Sequence, residues 1–197
     1  MHYIVVGAIG FLAGFLFDLA SLRRIAWAKL VAGLAALAMV GYATAMVCLS
    51  PNRVDLPDWA TWSGWVLMPV SLFLLIYSLF IDIPARKTYV EPGVGENLVK
   101  TGTYALVRHP GVLWYLLFLI SLLLISGAKL MLIAAPVWFF MDVLYVAVQD
   151  KFLFGRMFGG YEDYRQETPM LVPNRKSIGA CLRTLRLSKA QVQGRRG

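Results

Sequence analysis

Residues 30–52 read LVAGLAALAMVGYATAMVCLSPN and residues 59–81 read WATWSGWVLMPVSLFLLIYSLFI; neither stretch holds a charged side chain. A bilayer core of about 30 Å takes about 20 helical residues to cross, so each is long enough to span it. Working outward, a third run extends from Tyr3 to Leu22 with Asp18 near its end. Two more, Gly111 to Ser126 and Leu130 to Val148, flank the short turn Ser126-Gly127-Ala128-Lys129 and read as a tight helical hairpin. The pattern predicts an all-α integral membrane helical bundle with about five transmembrane helices: 3–22, 30–52, 59–81, 111–126 and 130–148. The fourth is short for an independent span, which suits a tilted or deeply packed hairpin. Pro69 and Pro136 fall inside spans, where kinks are tolerated.

Composition agrees with this. Of 197 residues, 59% are hydrophobic and 15% charged, and the mean hydropathy is +0.65, too apolar for an ordinary soluble domain. Aromatic residues at 13% exclude a disordered chain, and two cysteines exclude a secreted disulfide scaffold. The first span lacks a basic leader and is followed by Arg23-Arg24 instead of a small-residue cleavage site, so it is expected to be retained. Gly7, Gly10 and Gly14 on the first span, and Gly33, Ala36 and Gly41 on the second, are spaced for close helix packing.

The net charge of +8 raises the question of a polyanion partner, and the placement of the cations answers it. Arg23, Arg24 and Lys29 follow the first span; Arg86, Lys87, Lys100 and Arg108 precede the fourth; ten more follow Val148. These 17 share one side against Arg53 and Lys129 on the other, which predicts an N-terminus outside and a C-terminus in the cytoplasm. The basic excess therefore points to the inner leaflet and not to nucleic acid. Cys48 and Cys181 fall on opposite faces and are expected to be unpaired. The spans do not repeat in length or motif, which disfavours an inverted-repeat transporter.

Polar residues gather in two cytoplasmic pieces, 82–110 and 149–197. The first ends in Asn97-Leu98-Val99-Lys100-Thr101-Gly102-Thr103-Tyr104-Ala105-Leu106-Val107-Arg108-His109-Pro110. Gly102 permits a turn, Pro110 suits the first turn of a helix, and Arg108 and His109 stand at the mouth of the bundle, where a cofactor arrives from water and a substrate from lipid. In the second piece, Asp142, Val146, Gln149, Asp150 and Leu153 keep helical spacing, so Asp142 and Asp150 share roughly one face. An aspartate inside a span faces the bundle interior by default, which makes Asp142 a functional candidate.

At these residues the sequence resembles the isoprenylcysteine carboxyl methyltransferase and phospholipid methyltransferase superfamily of integral membrane enzymes. The family's LVKxGxYxxxRHP stretch is matched at Leu98, Val99, Lys100, Gly102, Tyr104, Arg108, His109 and Pro110. Its EExxL…FGxxYxxY segment is matched more loosely by Gln149-Asp150-Lys151-Phe152-Leu153, Tyr161 and Tyr164, followed by Met170-Leu171-Val172-Pro173. Val112 stands where the family has tyrosine, Gln149 and Asp150 stand where it has an acidic pair, and the Phe158-Gly159 pair lies one residue closer to Tyr161.

The resemblance implies a single methyltransferase-like membrane domain over residues 1–173, with cofactor segments at 97–110 and 149–173. It implies S-adenosylmethionine as methyl donor and a lipid or lipophilic acceptor taken from the membrane. Val99, Lys100, Gly102, Tyr104, His109, Pro110, Tyr161 and Tyr164 would bind the cofactor. Arg108 would anchor an anionic acceptor, and Asp150 would bind the cofactor's polar end or orient Arg108. Alignment of donor and acceptor supplies much of the catalysis in such a displacement, so no metal cluster is expected. Two rival readings remain. Membrane sterol reductases share an Arg-His-Pro motif with a nicotinamide cofactor, but there it continues Asn-Tyr, whereas Gly111-Val112 follows here. A non-catalytic relative would account for Gln149, Asp150 and Val112. Residues 174–197 carry seven cations and no acid, with Ile178, Cys181, Leu182 and Leu185 at helical spacing, which predicts a basic amphipathic helix on the inner leaflet.

Overall fold

The computed structural model describes residues 1–83, 88 and 98–194, and among them it contains helices, turns and one isolated bridge, Arg53 to Ala128. Five apolar helices form the bundle: α1 (His2–Leu22), α2 (Ala26–Cys48), α3 (Asp58–Ile76), α4 (Pro110–Ser126) and α5 (Lys129–Val148). Both α3 and α5 run on into a widened π turn, at Tyr77–Ile81 and Gln149–Leu153. Beyond the bundle lie a helical turn α6 (Phe154–Met157), α7 (Tyr161–Glu167) and α8 (Arg175–Gly194). Four of the helices, α1, α2, α3 with its π turn, and α5 with its continuation, are long and apolar enough to cross a membrane; α4 is shorter, at 17 residues.

The ends of these helices have local causes. Arg24 adopts a left-handed φ of 57° and turns the chain from α1 into α2. The second helix starts four residues before the expected run and stops at Cys48, because Pro51 holds the residue before it extended. The charge-free run 30–52 thus includes the turn at its end, and the helix compensates by taking in Lys29. Pro110 opens α4 at a position that needs no N–H donor, and Gly127 closes it in the left-handed region with φ 59°. A side chain at Gly127 would press on the Val54 carbonyl. There the α2–α3 loop is laced to the α4–α5 turn: Val54 N donates to Gly127 O at 2.7 Å, Lys129 N to Asn52 O at 2.9 Å, and Arg53 Nη1 to Ser126 O at 2.8 Å.

Helices α1 and α2 pack as one hairpin, α3 pairs with α4, and α5 lies against both α1 and α4. Large apolar side chains point outward, among them Leu34, Leu37, Val66, Phe73 and Phe140, while Ala43, Ser71, Ser78, Ser121 and Ala134 are fully buried. Small residues inside and oily ones outside is the arrangement expected where lipid, not water, surrounds the helices. Ser71 and Ser121 bond back to the carbonyls of Met68 and Phe118, so burying them leaves no orphaned hydroxyl. Trp138 fills the centre, fully buried, its indole N–H donating to Ile4 O at 3.0 Å.

The glycines of α1 make this closeness possible. A Cβ on Gly7 would collide with the Trp138 indole, one on Gly10 would lie 2.7 Å from Val40, and one on Gly14 would meet the Tyr145 ring at 3.1 Å. Gly33 abuts Phe17, but Gly41 has nothing within 4 Å, so the expected packing series on α2 stops short of it. Lys29 also departs from expectation. It lies inside α2 and is fully buried, its ammonium 5.5 Å from the Phe17 ring and near enough to Asp18 to offset that charge. It is thus an internal counter-ion and not one of the loop cations among which the sequence alone counts it. Asn97, Arg86, Lys87, Arg195 and Arg196 lie outside the described residues.

Replacing Gly7 with Val should destabilise the bundle by about 1–3 kcal/mol, the usual cost of overpacking. Reversible unfolding in mixed micelles measures it, and Gly41→Val, where space is open, should change little by comparison.

Candidate functional site

The polar segment before α4 is pinned first. Asp82, just past the π turn that ends α3, accepts from the Thr103 amide at 2.7 Å and the Thr103 hydroxyl at 2.5 Å. Gly102 has φ 62°, and a Cβ there would fall on the Asp82 carboxylate, so only glycine fits. Ser78 donates to Thr103 Oγ1 at 3.1 Å and accepts from Trp114 Nε1 at 2.9 Å, while the Tyr104 hydroxyl donates to the Ser78 carbonyl at 3.2 Å. These bonds hold the turn Gly102–Ala105 against α3 and α4.

From there the chain delivers Arg108 and His109 to the end of α5. Arg108 grips Asp150 with two bonds, Nε to Oδ1 at 2.8 Å and Nη2 to Oδ2 at 3.0 Å, and its Nη1 donates to the carbonyls of Arg165 at 2.8 Å and Thr168 at 2.5 Å. Both partners are buried, at 8% and 5% exposure. Tyr161 donates to Asp150 Oδ1 at 2.5 Å, and His109 Nε2 stands 3.4 Å from the same oxygen. The imidazole lies nearly parallel to the Phe154 ring, 19° between planes and 5.6 Å between centroids. Two backbone bonds, Arg108 N to Pro169 O at 2.9 Å and His109 N to Met170 O at 3.2 Å, complete the join. Residues 42 apart in sequence thus form one charged, fork-on-carboxylate clasp, the strongest kind of side-chain pairing.

Electrostatics follows from that enclosure. Burial pushes the His109 imidazole below its ordinary value of 6.5, and the Arg108 cation beside it adds to the effect; the pull of Asp150 opposes both but does not prevail. His109 is therefore neutral at neutral pH. Burial first, and then the bond to Asp150, push the Tyr161 phenol up, which keeps it a donor.

The residues expected to form the site fall into three groups. Arg108, His109, Asp150 and Tyr161 are brought together in the clasp. Gly102, Tyr104 and Pro110 shape the segment that carries them: Gly102 by its turn, Tyr104 by its bond to Ser78, and Pro110, buried, by starting α4. Lys100 and Tyr164 line a cleft of about 230 Å³ beside the clasp, together with Ala105, Glu167, Thr168, Lys176, Ser177, Ala180 and Arg183. Tyr164 also donates to the Tyr104 carbonyl at 2.6 Å, and the Lys100 ammonium stands 5.8 Å from its ring. Val99 is half-buried at the start of this stretch. Asp142 is not brought to the clasp: it lies eight residues deeper along α5, about 12 Å at helical rise.

Several functional contacts had no sequence signal. The Arg165 and Thr168 carbonyls that saturate Arg108 are backbone atoms, which composition does not advertise. Asp82 and Glu167 are ordinary acids whose importance lies in tertiary placement. Gln149, which replaces an acid of the resembled pattern, donates through Nε2 to Asp18 Oδ2 at 2.9 Å. A glutamate there would set two carboxylates against each other, so the amide is matched to the aspartate on α1.

The C-terminal helix packs on this site, against the turn Gly102–Ala105. Its first turn is closed reciprocally by Asn174 and Ser177: the Ser177 amide donates to Asn174 Oδ1 at 2.9 Å and the Asn174 amide to Ser177 Oγ at 3.0 Å. Thr184 then accepts from the Gly102 amide at 3.1 Å. Cys181 is buried against the site, whereas Ile178 and Leu182, on the stripe expected to be apolar, remain exposed. Both cysteines are free thiols. Among the described residues no cluster of metal-ligating side chains occurs.

No family model, curated protein or solved structure matches the chain. The fold and site define a helical membrane-protein bundle with a buried ionic clasp at one end.

Two outcomes test this geometry. Removing Asp150 strands a buried guanidinium, so Asp150→Ala should cost about 3–5 kcal/mol, and the paired change with Arg108→Met should recover much of it. Because His109 takes up a proton less readily folded than unfolded, the unfolded state binds more protons as pH falls through 6.5. Stability should therefore fall on acidification from neutral pH, and His109→Gln should flatten that slope in a pH series of thermal unfolding.

Proposed function

We propose that the chain is an integral membrane methyltransferase that uses S-adenosylmethionine to methylate a lipophilic or lipid acceptor at the cytoplasmic face. The observation that carries the reading is the convergence of two distant motif blocks, 98–110 and 149–170, on one clasp beside one cleft. The cleft's chemistry fits the donor's amino-acid end. Lys100, Lys176 and Arg183 suit a carboxylate, Glu167 suits an ammonium, and the Tyr164 ring offers a flat apolar face. When bound, the donor supplies an already activated methyl group, so the protein's task is to position, dehydrate and orient.

In that task the chain's own residues divide as follows. Arg108 and Asp150 act as positioning residues: with the fork committed to a carboxylate and two carbonyls, they fix the end of α4 against α5 and α7. His109 and Tyr161 shield the same carboxylate from water. Lys100, Tyr164 and Glu167 face the cleft and contact the donor. Five helices cross the membrane in this reading, with α4 the shortest, and the acceptor enters between helices from the bilayer. The cation distribution supports an external N-terminus and a cytoplasmic C-terminus.

The saturation of Arg108 favours a second reading, a bundle that keeps the clasp for stability and carries out no reaction. Isothermal calorimetry on the purified protein separates the two. Binding of S-adenosylhomocysteine that is weakened at least tenfold by Glu167→Gln or Tyr164→Ala is the expected result. Absence of binding, or binding of a reduced nicotinamide in its place, overturns the proposal.

A further inference from the structure

A second polar locus lies deeper in the bundle, away from the clasp. Tyr115 on α4 has a buried hydroxyl with no hydrogen-bond partner among the described residues. Asp142 on α5 lies close enough to that phenol for the two to interact electrostatically, and no hydrogen bond or ion pair to Asp142 occurs among the described residues. Along α5, Asp142 stands between Trp138 and Tyr145, which press on Gly7 and Gly14 of α1. Phe11, between those glycines, meets Tyr115 edge-on at 5.9 Å. Three helices thus converge on an unsatisfied phenol and an unsatisfied carboxylate at membrane depth.

Such groups are costly where no water competes for them. Elsewhere in this bundle most comparable groups have a partner: Asp18 has Gln149 and Lys29, Ser71 and Ser121 have carbonyls, and Trp138 has Ile4, while Ser21 Oγ at the end of α1 is the other buried hydroxyl without one. A buried polar group left open in a molecule otherwise so well paired marks a place completed by something else. We infer that Tyr115 and Asp142 form an intramembrane binding site for the hydroxyl group of a lipophilic alcohol. A hydroxyl is the fitting class because it donates and accepts at once. Its O–H bonds to the carboxylate while its oxygen accepts from the phenol. A carbonyl or ether would satisfy the phenol alone, and an ammonium the carboxylate alone. Both residues are half-buried, the Tyr115 hydroxyl itself being enclosed, so a ligand dissolved in the bilayer would enter laterally beside them and displace the side chains that cover the phenol. The inference does not rest on methyl transfer, and its test needs no methyl donor.

The test uses the full chain in phosphatidylcholine nanodiscs with 1-hexadecanol, hexadecyl methyl ether or hexadecane as probes. Hexadecanol should raise the thermal unfolding midpoint, and the ether and alkane should not. Asp142→Leu and Tyr115→Phe should each weaken the alcohol response on the order of tenfold to a hundredfold, the value of one hydrogen bond to a charged or buried partner. Without probe, Asp142→Leu should be more stable than the parent, since it removes an unpaired carboxylate. Equal responses to alcohol and ether, as expected if the pair only holds a water molecule, overturn the inference. So does a loss of fold in Asp142→Leu, which would make the aspartate a structural partner.

Discussion

A guanidinium and a carboxylate buried together at one end of the bundle determine where the rest of the polar chain at that end goes. Arg108 comes at the end of the segment leading into α4, and Asp150 lies on the turn leaving α5, so their pairing sets the separation of those helices. The remaining guanidinium donors then fix the course of residues 165–170 by capturing their carbonyls, and Tyr161 must turn inward to complete the carboxylate. Such a pair contributes little net stability compared with an apolar substitute, but breaking one side of it is expensive. Its effect is to disfavour arrangements that part the two, since each would leave a buried charge uncompensated.

The same rule operates throughout the bundle. Lipid-facing surfaces are interchangeable, so helix order is decided by close approach and by internal polar matches. Gly7 under Trp138 sets the distance between α1 and α5, and Asp18 with Gln149 and Lys29 sets their rotation near the end that carries the clasp. Close contact at one end and polar pairing at the other together fix a register that hydrophobicity alone leaves free.

Much of this was legible in the residues, for identifiable reasons. Five apolar helices followed from charge-free runs, and four of their boundaries agreed within a few residues because Pro110, Gly127 and Arg23-Arg24 punctuate locally. The exception, 30–52 against Ala26–Cys48, arose because an uncharged turn resembles helix and a buried lysine resembles a loop. The convergence of Arg108 and His109 with Asp150 and Tyr161 was readable only as a pattern of residue types, and its geometry was not. Asp82, Glu167 and the carbonyls of Arg165 and Thr168 stayed hidden, since their roles come from where the chain passes and not from what it contains. The C-terminal helix was recognised as amphipathic, but which side it would turn to the site depended on Thr184 and Cys181, neither of them distinctive.

The lacing at the opposite end of the bundle invites a comparison. There, Val54, Gly127, Asn52 and Lys129 are joined through backbone atoms, which every residue but proline supplies, and the residue type matters at Gly127, which must lack a Cβ, and at Arg53, whose guanidinium reaches Ser126. At the clasp end backbone bonds also contribute, but the join is organised by side chains with a particular shape and charge, Arg108 and Asp150 above all. Tolerance to substitution is accordingly polarised along the membrane normal. Sequence drift can rewrite most of the laced loops while the connection persists, whereas the clasp end retains its wording or loses its form.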